Sequence, residues 1–257
     1  MIDSKKPKSR LVVVMPVYNE SQGIIEFLNE LASSLTDFNT TFIVVDDCST
    51  DNTFGVLSEC SRAGGPRLQV FRNPRNLGHG ESTLLALKLA IQARPDFVLA
   101  ADGDGHIRGV DAQRLVARIA EGGFAVCEGV RIGRSEAKYR KVISVVTRVL
   151  VRSRSKVSPR DANTPFRAYQ YSALSLILYS DKVFGCVPNL RISEFCRRSK
   201  MLIDEVEVEW RPRFGGRGRG STSWGKENRY LPSKKLLIFC VKAGNEWLFG
   251  KNKKKSK

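Results

Sequence analysis

Leu11-Val12-Val13-Val14-Met15-Pro16-Val17-Tyr18-Asn19-Glu20 is an apolar run that turns polar at its end. A near-continuous apolar run of strand length, rich in β-branched residues, reads as a strand buried on both faces. Further short β-branched runs at residues 41–47, 68–72, 97–101 and 124–127 read as strands. Between them, residues 23–35, 53–63, 81–92 and 110–120 have helical spacing. In the third of these, Leu84, Leu87, Leu89 and Ile91 make a mostly apolar helix suited to packing between layers. Strands that alternate with helices of about 12 residues imply βαβ units and a mostly parallel sheet. No internal repeat is visible.

The pattern changes after Gly129. Residues 137–157 read as a helix with Val142, Val145, Val146, Val149 and Leu150 on one side. Arg140, Lys141, Arg148, Arg152 and Arg154 surround them. Such a helix either packs on the core with a solvated basic face or lies on an anionic membrane surface. Residues 167–179 and 192–198 look helical, and 201–210 looks extended. In 211–220, Gly215, Gly216, Gly218 and Gly220 alternate with arginines that include Arg211, Arg213, Arg217 and Arg219. Arg-Gly repeats can bind RNA, but this run is short and embedded, which favours a phosphate-gripping loop. At the end, apolar segments at 236–241 and 247–249 precede Lys251, Lys253, Lys254, Lys255 and Lys257. That arrangement suits peripheral membrane attachment or a solubilising tail.

Composition narrows the classes. The 257 residues include 43 Lys+Arg and 26 Asp+Glu, for a net charge of +17. The length can bury a core, and 42% hydrophobic residues argue against wholesale disorder. No apolar run reaches the ~18–20 residues that a spanning helix needs. Residues 1–10 are polar and basic, unlike a secretory leader. Cys48, Cys60, Cys127, Cys186, Cys196 and Cys240 are scattered without zinc-site spacing and read as reduced thiols of a cytoplasmic protein. The positive excess suits an anionic partner: nucleic acid, a phospholipid surface or a phosphorylated substrate.

Ligands of open parallel sheets bind at the carboxyl ends of strands. Three polar clusters fall there: Pro16 to Glu20, Asp46 to Asp51, and Asp102-Gly103-Asp104-Gly105-His106. Each alone has a structural explanation, as a helix cap or a turn. Together, at successive strand ends, they indicate a site. Asp102 and Asp104, two residues apart on extended chain, point the same way. Paired carboxylates call for a cation, and hard oxygen ligands suit Mg²⁺ or Mn²⁺. His106 offers a nitrogen ligand, unless it is a plain surface histidine.

Pro16 to Glu20, Val44 to Asp51, Asn76-Leu77-Gly78-His79-Gly80 and Asp102-Gly103-Asp104 together resemble family-two glycosyltransferases. Their order is similar to the branch of dolichyl-phosphate mannosyltransferase and other polyprenyl-phosphate glycosyltransferases, over residues 11–224. The resemblance implies a GT-A, Rossmann-like α/β fold: a mostly parallel sheet flanked by helices that binds nucleotide diphosphosugars. A basic extension at 1–10 would precede a catalytic domain at 11–230. That domain would divide into a nucleotide-sugar half, 11–130, and an acceptor half, 131–230, with a basic tail at 231–257. Pro16, Tyr18, Glu20, Asp46, Asp47, Gly78, Gly80, Asp102 and Asp104 would bind the nucleotide sugar. Asp102, Asp104 and His106 would hold the metal. Arg131, Asp161, Arg167, Arg213 and Ser221 would bind the acceptor. Asp104, Arg131, Glu194 and Arg213 would serve catalysis. Pro165 replaces the glycine usual before the family's Phe-Arg.

The expected reaction is inverting transfer of a hexose from a GDP- or UDP-sugar. A hydroxyl acceptor needs a general base. A lipid monophosphate, with a second pKa near ~6, does not. Ser193-Glu194-Phe195 has one carboxylate where hydroxyl-using relatives carry a Glu-Asp pair, and arginines grip phosphate well. Both features favour a polyprenyl phosphate. The expected place is the cytoplasmic face of a membrane, reached directly or through an anchoring partner subunit. A glycan or protein hydroxyl acceptor is the alternative, and a non-catalytic nucleic-acid-binding protein a further one. The Asp102/Asp104 pair and the lack of an aromatic platform speak against nucleic acid.

Overall fold

Alternate residues of β1 (Arg10–Val17) feed two separate cores. Leu11, Val13, Met15 and Val17 pack with α1 (Ile24–Ser34) through Phe27, Leu28 and Leu31. They also pack with α4 (Gly109–Gly122) through Leu115, Val116 and Ile119. Val12 and Val14 pack on the other side with Leu87, Ala90 and Ile91 of α3 (His79–Gln92). Each such side chain contributes about 1.5–3 kcal/mol when fully buried, which places β1 at the centre of the molecule.

The computed structural model describes residues 7–133, 138–214 and 232–250. The remaining elements are β2 (Asn39–Asp46), α2 (Thr53–Arg62), β3 (Leu68–Arg72), β4 (Phe97–Ala100) and β5 (Val126–Ile132). After them come α5 (Lys138–Ser155), β6 (Arg167–Gln170), α6 (Tyr171–Tyr179), α7 (Pro188–Arg198), β7 (Ile203–Glu209) and α8 (Lys234–Phe249). One seven-stranded sheet has the order β3-β2-β1-β4-β6-β5-β7. Its pairs are parallel except for β6, which is antiparallel to β4 and β5.

Two expectations need correcting. Residues 167–179 are a strand followed by a helix rather than one helix. The strand at 124–127 lies at Val126–Ile132 instead, because Glu128 is buried within it. Both departures share one cause, since Arg167 and Glu128 pair with each other at 2.9 Å inside the sheet. Ser221, Arg217, Arg219, the glycines at 215–220 and the lysines at 251–257 lie outside the described residues.

The registers Val17↔Asp46 and Val14↔Ala100 bring the ends of β1, β2 and β4 to one edge. There the Gly103 amide donates to the Pro16 carbonyl at 3.3 Å. A side chain on Gly103 would collide with Val17, so only glycine lets the two loops approach this closely.

Candidate active site

The loops after β1 and β2 are fastened to each other. Asn19 accepts from the Thr50 amide at 2.8 Å, and Thr53 Oγ1 accepts from the Glu20 amide at 2.8 Å. Asp46 has 0% exposure, accepts from the amide and hydroxyl of Ser49, and pairs with Arg72 at 3.3 Å. Asp47 accepts from Asn73 Nδ2 at 2.8 Å and from the Leu77 and Gly78 amides at 2.8 and 2.9 Å. These carboxylates thereby shape the floor of the site, Asp46 by bracing the loop after β2 and Asp47 by holding the turn that starts α3. Gly78 caps α3 with a φ of 90°, and Gly80 is buried against the Cys186 carbonyl. Pro16 is buried in β1, while Tyr18 and Glu20 are half-buried at its end.

The loop after β4 carries the acidic pair. Asp104 Oδ2 lies 3.5 Å from His106 Nε2 and 3.4 Å from Arg213 Nη2. Arg213 Nη2 also lies 3.2 Å from Glu20 Oε1. Burial pushes the Glu20 carboxyl up to about 8, against the pull of Arg213 and with added push from Asp104, Asp51 and Asp102. Asp102 is likewise raised by burial, opposed by His79 and reinforced by Asp104. Both carboxyls are raised chiefly because burial disfavours their charged forms, with cationic neighbours opposing the shift.

His106 Nδ1 bonds to the Arg211 carbonyl at 2.7 Å. A carbonyl only accepts, so Nδ1 carries the hydrogen of that bond, and Nε2 is the ring nitrogen that faces Asp104. The ring stacks on Trp210, with centroids 4.4 Å apart. The Arg131 guanidinium lies over the same indole at 5.3 Å and grips Asp161 through bonds of 2.6 and 2.9 Å. Trp210 therefore joins the Asp104–His106 side to the Arg131–Asp161 side.

Arg167 and Glu194 fall elsewhere. Arg167, expected on the acceptor side, has 0% exposure. It is spent on Glu128 at 2.9 Å, Ser193 at 2.8 Å and Asn189 at 3.2 Å, so it offers no surface to a ligand. Glu194 of α7 is buried and faces Arg191 at 3.4 Å, Arg198 at 3.3 Å and Arg154 at 3.8 Å.

Sequence reasoning missed two residues here. His79, at the start of α3, places Nε2 3.6 Å from Asp102 Oδ1. It lay inside the quoted Asn76–Gly80 stretch, where the glycines drew attention. Trp210 ends an expected strand, and nothing in its spacing marks it.

The sequence pattern of Glycosyl transferase family 2 matches residues 12–181. The chain belongs to that family.

Two relatives place this family-2 chain more closely. It is 28% identical over 200 residues to the undecaprenyl-phosphate 4-deoxy-4-formamido-L-arabinose transferase of Pseudomonas savastanoi pv. phaseolicola. That match spans 77% of this chain and 58% of the relative. The enzyme of the same name from Serratia proteamaculans is 26% identical over 205 residues, spanning 79% and 60%. Both relatives belong to the polyprenyl-phosphate branch that the motifs resembled, and this chain spans less than two thirds of their length.

Among solved structures, Mycobacterium tuberculosis glucosyl-3-phosphoglycerate synthase, in complex with Mn²⁺, UDP and phosphoglyceric acid, superposes with a TM-score of 0.59. The identity is 20%, over 80% of this chain and 70% of that one. S. aureus TarS 1–349 in complex with UDP-GlcNAc gives 0.53 at 22% identity, over 79% and 59%. The family-2 chain thus has the GT-A fold.

Proposed function

We propose that this chain is the catalytic domain of an inverting glycosyltransferase that moves a sugar from a nucleotide diphosphosugar to a polyprenyl phosphate. The observation that carries the reading is the corner at the ends of β1 and β4. There Glu20, Asp102, Asp104, His106 and Arg213 converge on the edge where open α/β sheets bind ligands. UDP is the favoured nucleotide, since solved relatives of this fold are named with it. Mannose and GDP, the narrower expectation, have no counterpart in those names. The curated relatives are named for an undecaprenyl acceptor and a 4-deoxy-4-formamido-L-arabinose sugar.

The donor set fits a divalent ion. Among the described residues no three His, Cys, Asp or Glu side chains are grouped so as to hold a metal ion, so Asp102, Asp104 and His106 do not form a ready-made trio. None is needed, because Mg²⁺ is commonly held by one or two carboxylates with substrate phosphates and water completing the shell. Asp104 Oδ2 and His106 Nε2 would supply two ligands, while Asp102, on the same loop, has its Oδ1 3.6 Å from His79 Nε2. Mn²⁺ would accept the imidazole readily. When bound, the ion supplies counter-charge for the departing nucleotide diphosphate.

The chain's own groups do the rest. The floor built on Asp46 and Asp47 would seat the nucleotide beside Tyr18. Transfer breaks the bond from the anomeric carbon to the donor diphosphate, which leaves with the electron pair. An acceptor oxygen forms the new bond from the opposite face, which inverts the configuration. One feature of the site supports phosphate as that acceptor. Glu194 and Asp161 are both engaged by guanidinium groups, so neither resembles a waiting general base. A phosphate dianion needs no base, since its second pKa is ~6.

A membrane would hold such an acceptor. α5 exposes Val142, Val145, Val146 and Val149, and α8 exposes Leu237, Ile238, Val241, Leu248 and Phe249, with Ile238 at 70% and Phe249 at 78%. Among the described residues no helix is long and apolar enough to cross a bilayer. Apolar faces flanked by Arg140, Lys141, Arg148, Lys234 and Lys235 suit an anionic surface such as the cytoplasmic leaflet.

The test is a thermal-shift panel of UDP-, GDP- and dTDP-sugars with Mn²⁺. Ligand at 100 times its Kd adds about 2.7 kcal/mol to the folded state. A UDP-sugar should raise Tm most, and silence across the panel would reject the donor reading.

A further inference from the structure

The segment after β7 doubles back over the loop that carries the acidic pair. The Arg211 amide donates to the His106 carbonyl at 3.0 Å, and the Phe214 amide donates to the Asp104 carbonyl at 3.3 Å. Arg211 Nε donates to the Gly105 carbonyl at 2.7 Å, and its Nη2 pairs with Glu30 at 2.6 Å. The Phe214 ring lies 6.3 Å from the Phe27 ring and 4.2 Å from the Arg211 guanidinium. Residues on both sides of Arg213 are therefore anchored.

Between those anchors, Arg213 turns its guanidinium into the acidic corner. Its Nη2 reaches both Glu20 Oε1 and Asp104 Oδ2, while its Nε is buried with no hydrogen-bond partner. The Asp104 oxygen it touches is the one that faces His106 Nε2. One oxygen thus has two claimants: the guanidinium already there, and any cation held with His106. A buried donor with no protein acceptor calls for an explanation, and a functional role for the group supplies one.

We propose that Arg213 is a built-in counter-ion, which a divalent metal must displace from Asp104 before the site is loaded. The inference rests on the metal reading of Asp104 and His106. It makes metal binding and the Arg213–Asp104 contact mutually exclusive. The guanidinium is then free for a phosphate only after the donor's ion has arrived, which orders the two substrates. Until then it keeps the acidic corner charge-compensated.

The test is the affinity of nucleotide-free protein for Mn²⁺ alone, read from the free-ion signal in electron paramagnetic resonance. Arg213→Ala should bind Mn²⁺ roughly 10-fold more tightly than the natural protein, since a like charge a few ångströms away has been removed. Arg213→Gln, which removes the charge but keeps a polar side chain, should move the same way. Arg213→Lys keeps the charge and should stay within about twofold of the natural protein. Unchanged or weaker binding in Arg213→Ala and Arg213→Gln would overturn the proposal. Equal tightening in Arg213→Lys would also overturn it, because charge would not be the cause. Asp104→Ala separates the two readings. If it leaves Mn²⁺ binding intact, the metal site itself is wrong; if it abolishes binding while Arg213 variants match the natural protein, only the counter-ion role falls.

Discussion

Trp210 holds His106 on one contact and Arg131 on another: its indole stacks on the imidazole at 4.4 Å and lies 5.3 Å below the guanidinium. One side chain thereby sets the attitude of a metal-ligand candidate and of an arginine bound to Asp161. Groups that orient a metal ligand typically carry roughly 10–100-fold in affinity. Trp210→Leu should weaken Mn²⁺ binding by about that range, while Trp210→Phe, which can still stack, should lose far less. Calorimetric titration with Mn²⁺ and UDP checks this, and equal behaviour of the two variants would remove the stacking argument.

Glu128 is enclosed in β5 and neutralises Arg167 at 2.9 Å and Arg197 at 2.7 Å. The arginines hold the carboxyl below its usual range despite the opposing effect of burial. Removing one partner of a buried pair leaves uncompensated charge and costs about 3–5 kcal/mol. Glu128→Ala should lose stability on that scale in urea unfolding. A loss under about 1 kcal/mol would mean that the network is not closed as described.

Glu20 gives the metal-free protein a pH signature. Its carboxyl titrates near 4.5 when unperturbed and is pushed up to about 8 in the fold, first by burial. Between those values the folded state binds the extra proton. Stability from this group is therefore full below 4.5 and declines as pH rises through about 8. Melting curves in EDTA across that window should slope downward in the natural protein. The slope should be shallower in Glu20→Gln, and identical slopes would contradict the assignment.

Much of the fold was legible because its driving force is periodic. The apolar runs of β1, β2 and β4 are buried on both faces, so they show in sequence without further information. Their polar ends, at Glu20, Asp47 and Asp102, lie together at one edge of the sheet, where the candidate site is placed. β6 was not legible: Arg167 sits mid-sheet, and its charge is cancelled by Glu128, which lies far away along the chain. For the same reason Arg167 looked like a ligand residue when it is a buried ion-pair partner. Trp210 and His79 escaped because their significance is purely spatial.

The membrane reading has its own variants. Trp247, 3% exposed, anchors α8 between Arg154 at 4.7 Å and Arg191 at 4.4 Å, which leaves Ile238 and Phe249 outward. Val145→Asp combined with Ile238→Asp changes only exposed positions. The pair should abolish flotation with anionic vesicles yet leave Tm and UDP-sugar binding unchanged. Retained flotation would assign membrane contact to another surface.

Sugar transfer to a lipid phosphate is the reaction proposed for the Asp102–Asp104 corner. Its most direct measurement follows radiolabel from a UDP-sugar into the organic phase, with undecaprenyl phosphate and Mn²⁺ present. The natural protein should give lipid-linked label, with none after EDTA and none from Asp104→Ala, although that variant remains folded. Undiminished transfer by Asp104→Ala, or label entering only water-soluble hydroxyl acceptors, would contradict it.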